Sequence, residues 1–483
     1  MTRATVVIGY GADELVAAHL LARAGHRVVV LGEGRTTEAT RGWIAPAIVR
    51  ALGLDRHGLR MERDDPWAVA PLDGGVRLEL WQDHERSAAS IARISPRDAA
   101  RWPAFCERMA RLARFVESAY LEPPPDPVGV GADAIGHLAR VAWRARRMGR
   151  EGLTDLLRVL PMPVADLLDD WFESDALKGL LAAAAVAGLR RGPRAAGTAF
   201  SLLDRHVGNR PGVFRPPRSN AAQVLAALPG IEFRGDARAA RIALDAGGVS
   251  AVALVDGTEI PAGRVISGLD PRRTLLELLE PGWLGAETVR TVRNIRARGV
   301  VAEVAIASAG HGLAAPLVLA PSLDYLERAA DAAKYGKVSA EPLAVVRPTT
   351  ASELEVELQY VPYALADGPW DDDRRGGLER LARDTLRRWL PELTGAVEVT
   401  AVRTPVDLET ARGWPQGQAA HAELALDQAL WMRPVPELAR YRTPIDGLYL
   451  CGPAMHPGPG APGAAGAHAA RAILGETTFG ARR

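Results

Sequence analysis

The chain has 483 residues, 48% hydrophobic and 24% charged, enough to bury a large core and to form two domains. A net charge of +1 carries no nucleic-acid or membrane footprint, and an aromatic content of 5% leaves few platforms for stacked bases. The only cysteines, Cys106 and Cys451, are too few for a disulfide framework or a cysteine metal site, so the chain is expected in the cytoplasm and without a bound metal.

Ala4-Thr5-Val6-Val7-Ile8 reads as a buried strand, and Gly9-Tyr10-Gly11 leads from it into an amphipathic helix. The basic residues Arg23, His26 and Arg27 do not follow the layout of a signal peptide. A strand, glycine turn and helix of this kind hold a dinucleotide. The first glycine makes the bend, the second admits the pyrophosphate and the third lets the helix pack on the strand. Gly9 and Gly11 fill the first two roles, and Glu14 stands in the third. Asp13 and Glu14 place two carboxylates in the first helical turn, where free N–H groups and the helix dipole would otherwise meet a phosphate.

The second strand, residues 27–31, ends in Gly32, with Glu33 one place beyond the position of a ribose-binding acid. Side chains alternate along a strand. Glu33 is therefore either a ribose ligand, if the chain bends at Gly32, or a solvated loop acid. The proline-rich stretch at 121–127 reads as a lid-like connection, and the apolar run at 179–189 is too short to span a bilayer. Strands are expected at 231–235, 240–244, 249–254 and 259–267, with hairpin turns at Ala246-Gly247-Gly248 and Asp256-Gly257. A short buried strand at 447–452 then runs through a glycine-rich loop into a helix at 463–474.

The runs Leu54-Asp55-Arg56-His57-Gly58-Leu59, Leu168-Asp169-Asp170-Trp171-Phe172-Glu173-Ser174, Ser267-Gly268-Leu269-Asp270-Pro271-Arg272-Arg273-Thr274 and His421-Ala422-Glu423-Leu424-Ala425-Leu426-Asp427-Gln428, with 87–93, 293–296, 323–328 and 442–458, carry a resemblance over essentially the whole chain. The chain resembles the phytoene desaturase-like branch of the flavin-dependent amine oxidase superfamily, and within it the group named after pyridine nucleotide-disulphide oxidoreductase domain protein 2. The resemblance implies an α/β fold. A Rossmann-like FAD-binding domain would be built from segments 1–60, 218–285 and 430–483, with an inserted α+β substrate domain at 61–217 and 286–429. It also implies FAD, held by Gly9, Gly11 and Glu33 and by a C-terminal cradle of Gly452, His456, Gly458, Gly460 and Gly463.

Four flavin-contacting features depart from that pattern. They are the third glycine, the ribose acid, a paired-glycine loop that is shortened at 34–42, and a glycine turn replaced at 213–220 by Val213-Phe214-Arg215-Pro216-Pro217-Arg218-Ser219-Asn220. Proline fixes the backbone and removes a donor where a cofactor would lie against the chain. Pro459 and Pro462 also depart from the usual cradle residues, so that loop is either a cofactor cradle or a packing element.

Catalytic candidates are few, as suits chemistry supplied by a cofactor. His421 and Glu423, two apart, either project from one face of a strand towards a cavity or form a structural pair. His456 is either a site residue or a loop-stabilising imidazole. Arg215 and Arg218 either bind an anion or are solvated. Asp204, Arg205 and His206 have no metal spacing. Two functions follow. One is an FAD-dependent oxidoreductase with an eroded flavin site, acting on an apolar substrate by dehydrogenation or isomerisation. The other is a flavin-free descendant, serving as a partner of an intact relative, as a binding subunit, or as a non-redox, for example cyclising, enzyme.

Overall fold

A computed structural model describes residues 3–33, 39–125, 146–308, 311–391 and 397–475, with positions 136, 139–140, 142–143 and 393. Residues 34–38 of the shortened loop and 126–127 of the proline-rich connection lie outside the described residues. The strands, in chain order, begin with β1 Ala4–Ile8, β2 Val28–Leu31, β3 Thr40–Arg41, β4 Met61–Glu62, β5 Ala68–Pro71, β6 Arg77–Leu80, β7 Arg218–Ser219 and β8 Glu232–Arg234. They continue with β9 Ala239–Asp245, β10 Gly248–Leu254, β11 Glu259–Ser267, β12 Val301–Ala307, β13 Leu317–Leu319, β14 Leu343–Thr350, β15 Glu353–Gln359, β16 Glu398–Arg403 and β17 Leu448–Leu450.

The first sheet is the expected dinucleotide type. Parallel strands lie in the order β8-β2-β1-β11-β17, with Val6 opposite Val29 on one side and Val265 on the other. Every residue of β1 and β2, Thr5 included, is buried, because helices cover both faces of such a sheet. β11 runs on past β1, and its first half pairs antiparallel with β10, which pairs with β9. These are the two hairpins that the glycine turns announced. The helix Ala12–Arg23 connects β1 to β2 and packs on the C-terminal helix Ala464–Leu474. Gly466 permits that approach, since any side chain there would strike the main chain of Asp13.

The second sheet, in the order β16-β12-β15-β14-β13-β5-β6, is antiparallel except where β13 meets β5. Alternate residues of β15, Leu354, Val356 and Leu358, join a core with Leu378, Ala382 and Leu386 of the helix Asp372–Trp389. The helix Asp175–Val186 touches β5 and β13. A third sheet, β3-β7-β4, ties Thr40, Arg41, Met61 and Glu62 to residues 218–219. The segment at 213–220 is therefore a structured strand entry, with Val213 and Phe214 buried.

Candidate functional site

The C-terminal edges of β1 and β11 open onto a cleft of about 450 Å³ bordered by Gly9, Tyr10, Gly11, Asp13, Glu14, Arg41, Gly268, Trp414 and His421. Gly9 adopts φ +115°, a conformation open to glycine, and carries the chain sharply from strand to helix. Glu14 turns back on this bend. Its Oε2 accepts the Gly11 N–H at 2.8 Å, so the side chain caps the start of its own helix. A side chain at Gly268 would collide with the Glu14 carboxyl group, and one at Gly452 would come within 3.1 Å of Glu14 Oε1. The carboxylate thus sits in a hollow made by Gly9, Gly11, Gly268 and Gly452, and it is only 5% exposed.

Asp13 does the equivalent for the C-terminal helix. Its Oδ1 accepts the Gly466 N–H at 3.3 Å, beside the helix start at Gly463. Burial raises its pKa, the neighbouring Glu14 raises it further, and the main-chain N–H groups of the helix start oppose the rise. The starts of these two helices are therefore served by carboxyl groups of the chain itself.

Gly458 and Gly460, expected in the cofactor cradle, make room for buried side chains. A side chain at Gly458 would come within 2.8 Å of Arg433 Nε, and one at Gly460 within 2.5 Å of Asp204 Oδ1. Arg433 is wholly buried and donates to the carbonyls of Ala420, Ala422, Glu423, Gln428 and Pro453. Burial brings its pKa down to about 10. Asp204 accepts the Tyr120 hydroxyl at 2.5 Å. In this part of the loop, packing accounts for the glycines.

Other expected site residues also sit differently from their sequence readings. Glu33 does bend, at φ +54°, but its side chain is neither solvated nor in the cleft border, because its carboxylate meets Arg273 at 3.3 Å and is 2% exposed. Residues 421–423 form no strand, so the shared face expected of His421 and Glu423 does not exist. His421, at φ +57°, borders the cleft, whereas Glu423 accepts from Arg298 Nε at 2.6 Å and Nη2 at 2.9 Å. His456 is wholly buried, with Nδ1 2.9 Å from the Leu430 carbonyl and Nε2 3.1 Å from those of Ala119 and Glu122. Burial lowers its pKa to about 4, and its place is that of a strap between distant segments. Among the described residues no group of three or more His, Cys, Asp or Glu could hold a metal, and no helix is long and apolar enough to cross a membrane.

A second, inner cavity of about 140 Å³ lies between the second and third sheets and the helix Asp175–Val186. Its walls include Trp67, Leu180, Ala184, Phe214 and Val345, and five arginines: Arg41, Arg205, Arg215, Arg218 and Arg347. Arg215 is largely buried, whereas Arg218 is a third exposed. They share Asp64, at 2.8 and 3.0 Å. Burial, then the charge of Arg347, brings Arg215 down to about 9. Burial would raise Glu357, but its ion pair with Arg347 holds it at about 2. The sequence reading missed Arg347, Glu355 and Glu357. The available signal was charge at alternating positions of β15, Glu353, Glu355 and Glu357, on the face opposite Leu354 and Val356.

The same fold occurs in an oxidoreductase from Methanosarcina mazei (TM-score 0.55, 14% identity, covering 98% of this chain and 100% of that one). It also occurs in putrescine oxidase bound to putrescine (0.56, 13%, 98% and 99%), and in cyclohexylamine oxidase from Brevibacterium oxydans (0.54, 15%, 98% and 99%). These likenesses define a Rossmann-like flavoprotein fold. Residues 163–474 match the flavin containing amine oxidoreductase family, and the chain belongs to that family. Pyridine nucleotide-disulfide oxidoreductase domain-containing protein 2 of Rattus norvegicus and that of Mus musculus are each 28% identical to it, over 97% of this chain and 93% of theirs.

Proposed function

We propose that this chain is a flavin-free member of the family, in which the inner cavity is the working site and the dinucleotide cleft is structural. The observation that carries the reading is the Glu14 carboxylate, seated on the Gly11 N–H among four glycines. FAD would bring a pyrophosphate to this same helix start. There it would meet one buried carboxylate in the hollow and a second carboxyl group, Asp13, in the same helical turn. The ribose end agrees, because Glu33 is taken by Arg273. The residues at this end do not fit a dinucleotide.

In this reading the protein takes a small molecule with an apolar body, as a binding subunit beside an intact relative or as a non-redox enzyme. A second reading, FAD-dependent dehydrogenation or isomerisation of an apolar, phytoene desaturase-like substrate, is favoured by family membership and by the cleft beside His421. An absorbance spectrum of the purified protein, followed by an FAD titration, separates the two. We expect no flavin bands and no saturable binding. Flavin that co-elutes in a one-to-one ratio would sink the flavin-free reading.

A further inference from the structure

We propose that the inner cavity is a binding site for a small carboxylate with an apolar body, the carboxylate held among Arg41, Arg205 and Arg215 and the body lying along Leu180, Ala184 and Val345. The wall chemistry is divided in this way. Alanines and leucine of the helix Asp175–Val186 line the cavity along with valines of β12, β13 and β14, and the arginines bring charge from β3, β14, the helix Thr198–His206 and the β7 entry.

The charges do not cancel. Asp64 is shared by Arg215 and Arg218, and Arg347 is engaged by Glu357 and, at 3.6 Å, by Glu355. Arg218 also meets Glu62, at 3.9 Å, and Arg41 and Arg205 have no carboxylate at ion-pair distance among the described residues, so five guanidinium groups face four carboxylates. Arg41 is exposed and Arg205 is half-buried, with Nη2 donating to the Ala187 carbonyl at 2.9 Å, so each brings to the wall a positive charge that no acid neutralises and that an anion in the cavity would meet.

Three buried donors on its walls, Trp67 Nε1, Arg205 Nε and Arg347 Nε, also have no acceptor among the described residues. Trp67 is 2% exposed. A carboxylate offers about four lone-pair sites and matches the planar guanidinium fork. An amine, the substrate class named for the structural neighbours putrescine oxidase and cyclohexylamine oxidase, would add to the positive excess. The volume of about 140 Å³ suits a body of roughly benzene size. Arg41 borders both this cavity and the cleft at Glu14, so the two hollows share this residue as a wall.

The inference holds whether or not a flavin enters the cleft. FAD titration and the following series report on different hollows, so either can fail alone. Calorimetric titration of the full chain with benzoate, benzyl alcohol, benzylamine, acetate and inorganic phosphate tests it. Benzoate should bind one-to-one, about tenfold or more tighter than each of the others, the size expected of charge-assisted hydrogen bonds. Arg205→Met and Arg41→Met, which orphan no ion-paired acid, should each weaken benzoate about tenfold and leave benzyl alcohol unchanged. Benzoate no tighter than benzyl alcohol, or matched by benzylamine, would overturn the proposal. Phosphate or acetate equal to benzoate would reduce the site to a bare anion hole and overturn the apolar half. If both variants fail to fold, the wild-type series still decides.

Discussion

Replacing Glu14 by glycine restores the missing third glycine and empties the hollow between Gly11, Gly268 and Gly452. Two like charges about 4 Å apart, at the effective dielectric near 20 that suits protein sites, repel by about 4 kcal/mol. Removing the carboxylate should therefore strengthen FAD binding by up to about a thousandfold at low salt, and less at physiological salt. The change has a cost to the fold. Loss of the cap on the Gly11 N–H and glycine in a first helical turn each destabilise by about 1 kcal/mol. Quenching of FAD fluorescence, titrated against wild type, Glu14→Gly and Glu14→Gln, is the direct assay. Glutamine keeps the volume and an acceptor for Gly11 but drops the charge, so its gain in affinity should be smaller than that of glycine. A Glu14→Gly protein that is folded and binds FAD no better than wild type would refute the electrostatic argument and move the cause to the residues around the ribose and the turn at 213–220.

Two further expectations concern buried charge away from the cleft. His206 is 2% exposed, its ring nitrogens have no hydrogen-bond partner among the described residues, and burial lowers its pKa to about 4. A folded value below the unfolded one means that the unfolded chain takes the proton first. Its contribution is complete above the ordinary histidine value and is lost as pH falls from about 6.5 towards 4, by about 3 kcal/mol in all. His206→Phe should flatten the fall of the urea midpoint across that window, and parallel curves for the two proteins would contradict the account. Arg433→Met leaves the carbonyls of Ala420, Ala422, Glu423, Gln428 and Pro453 without their shared donor, so it should cost about 3 kcal/mol or more. A urea midpoint equal to that of wild type would show that this hub is dispensable.

The parallel core was legible because its determinants are local. A buried strand, a glycine bend and a helix at 4–23 specify one supersecondary unit, and glycine turns at 246–248 and 256–257 specify hairpins. Glu14 was legible as a departure for the same reason. The site residues chosen from the C-terminal loop were less so. Gly458 and Gly460 look identical whether a cofactor or a side chain lies against them, and the side chains that do, Arg433 and Asp204, come from other segments. His456 next to a glycine-rich loop suggests chemistry, yet the carbonyls that hold it belong to Leu430, Ala119 and Glu122.

Sequence alone therefore determined the fold, the family and the presence of an acid where the dinucleotide turn needs glycine, since each depends on spacing along the chain. Tertiary structure decided where that acid goes, because the hollow that receives it is completed by Gly268 and Gly452 from distant strands. It also decided that Arg41, Arg205, Arg215 and Arg347 surround one cavity. An arginine in a sequence looks solvated by default. Only the packing of separate segments around it removes the water and leaves its charge to be met by another group.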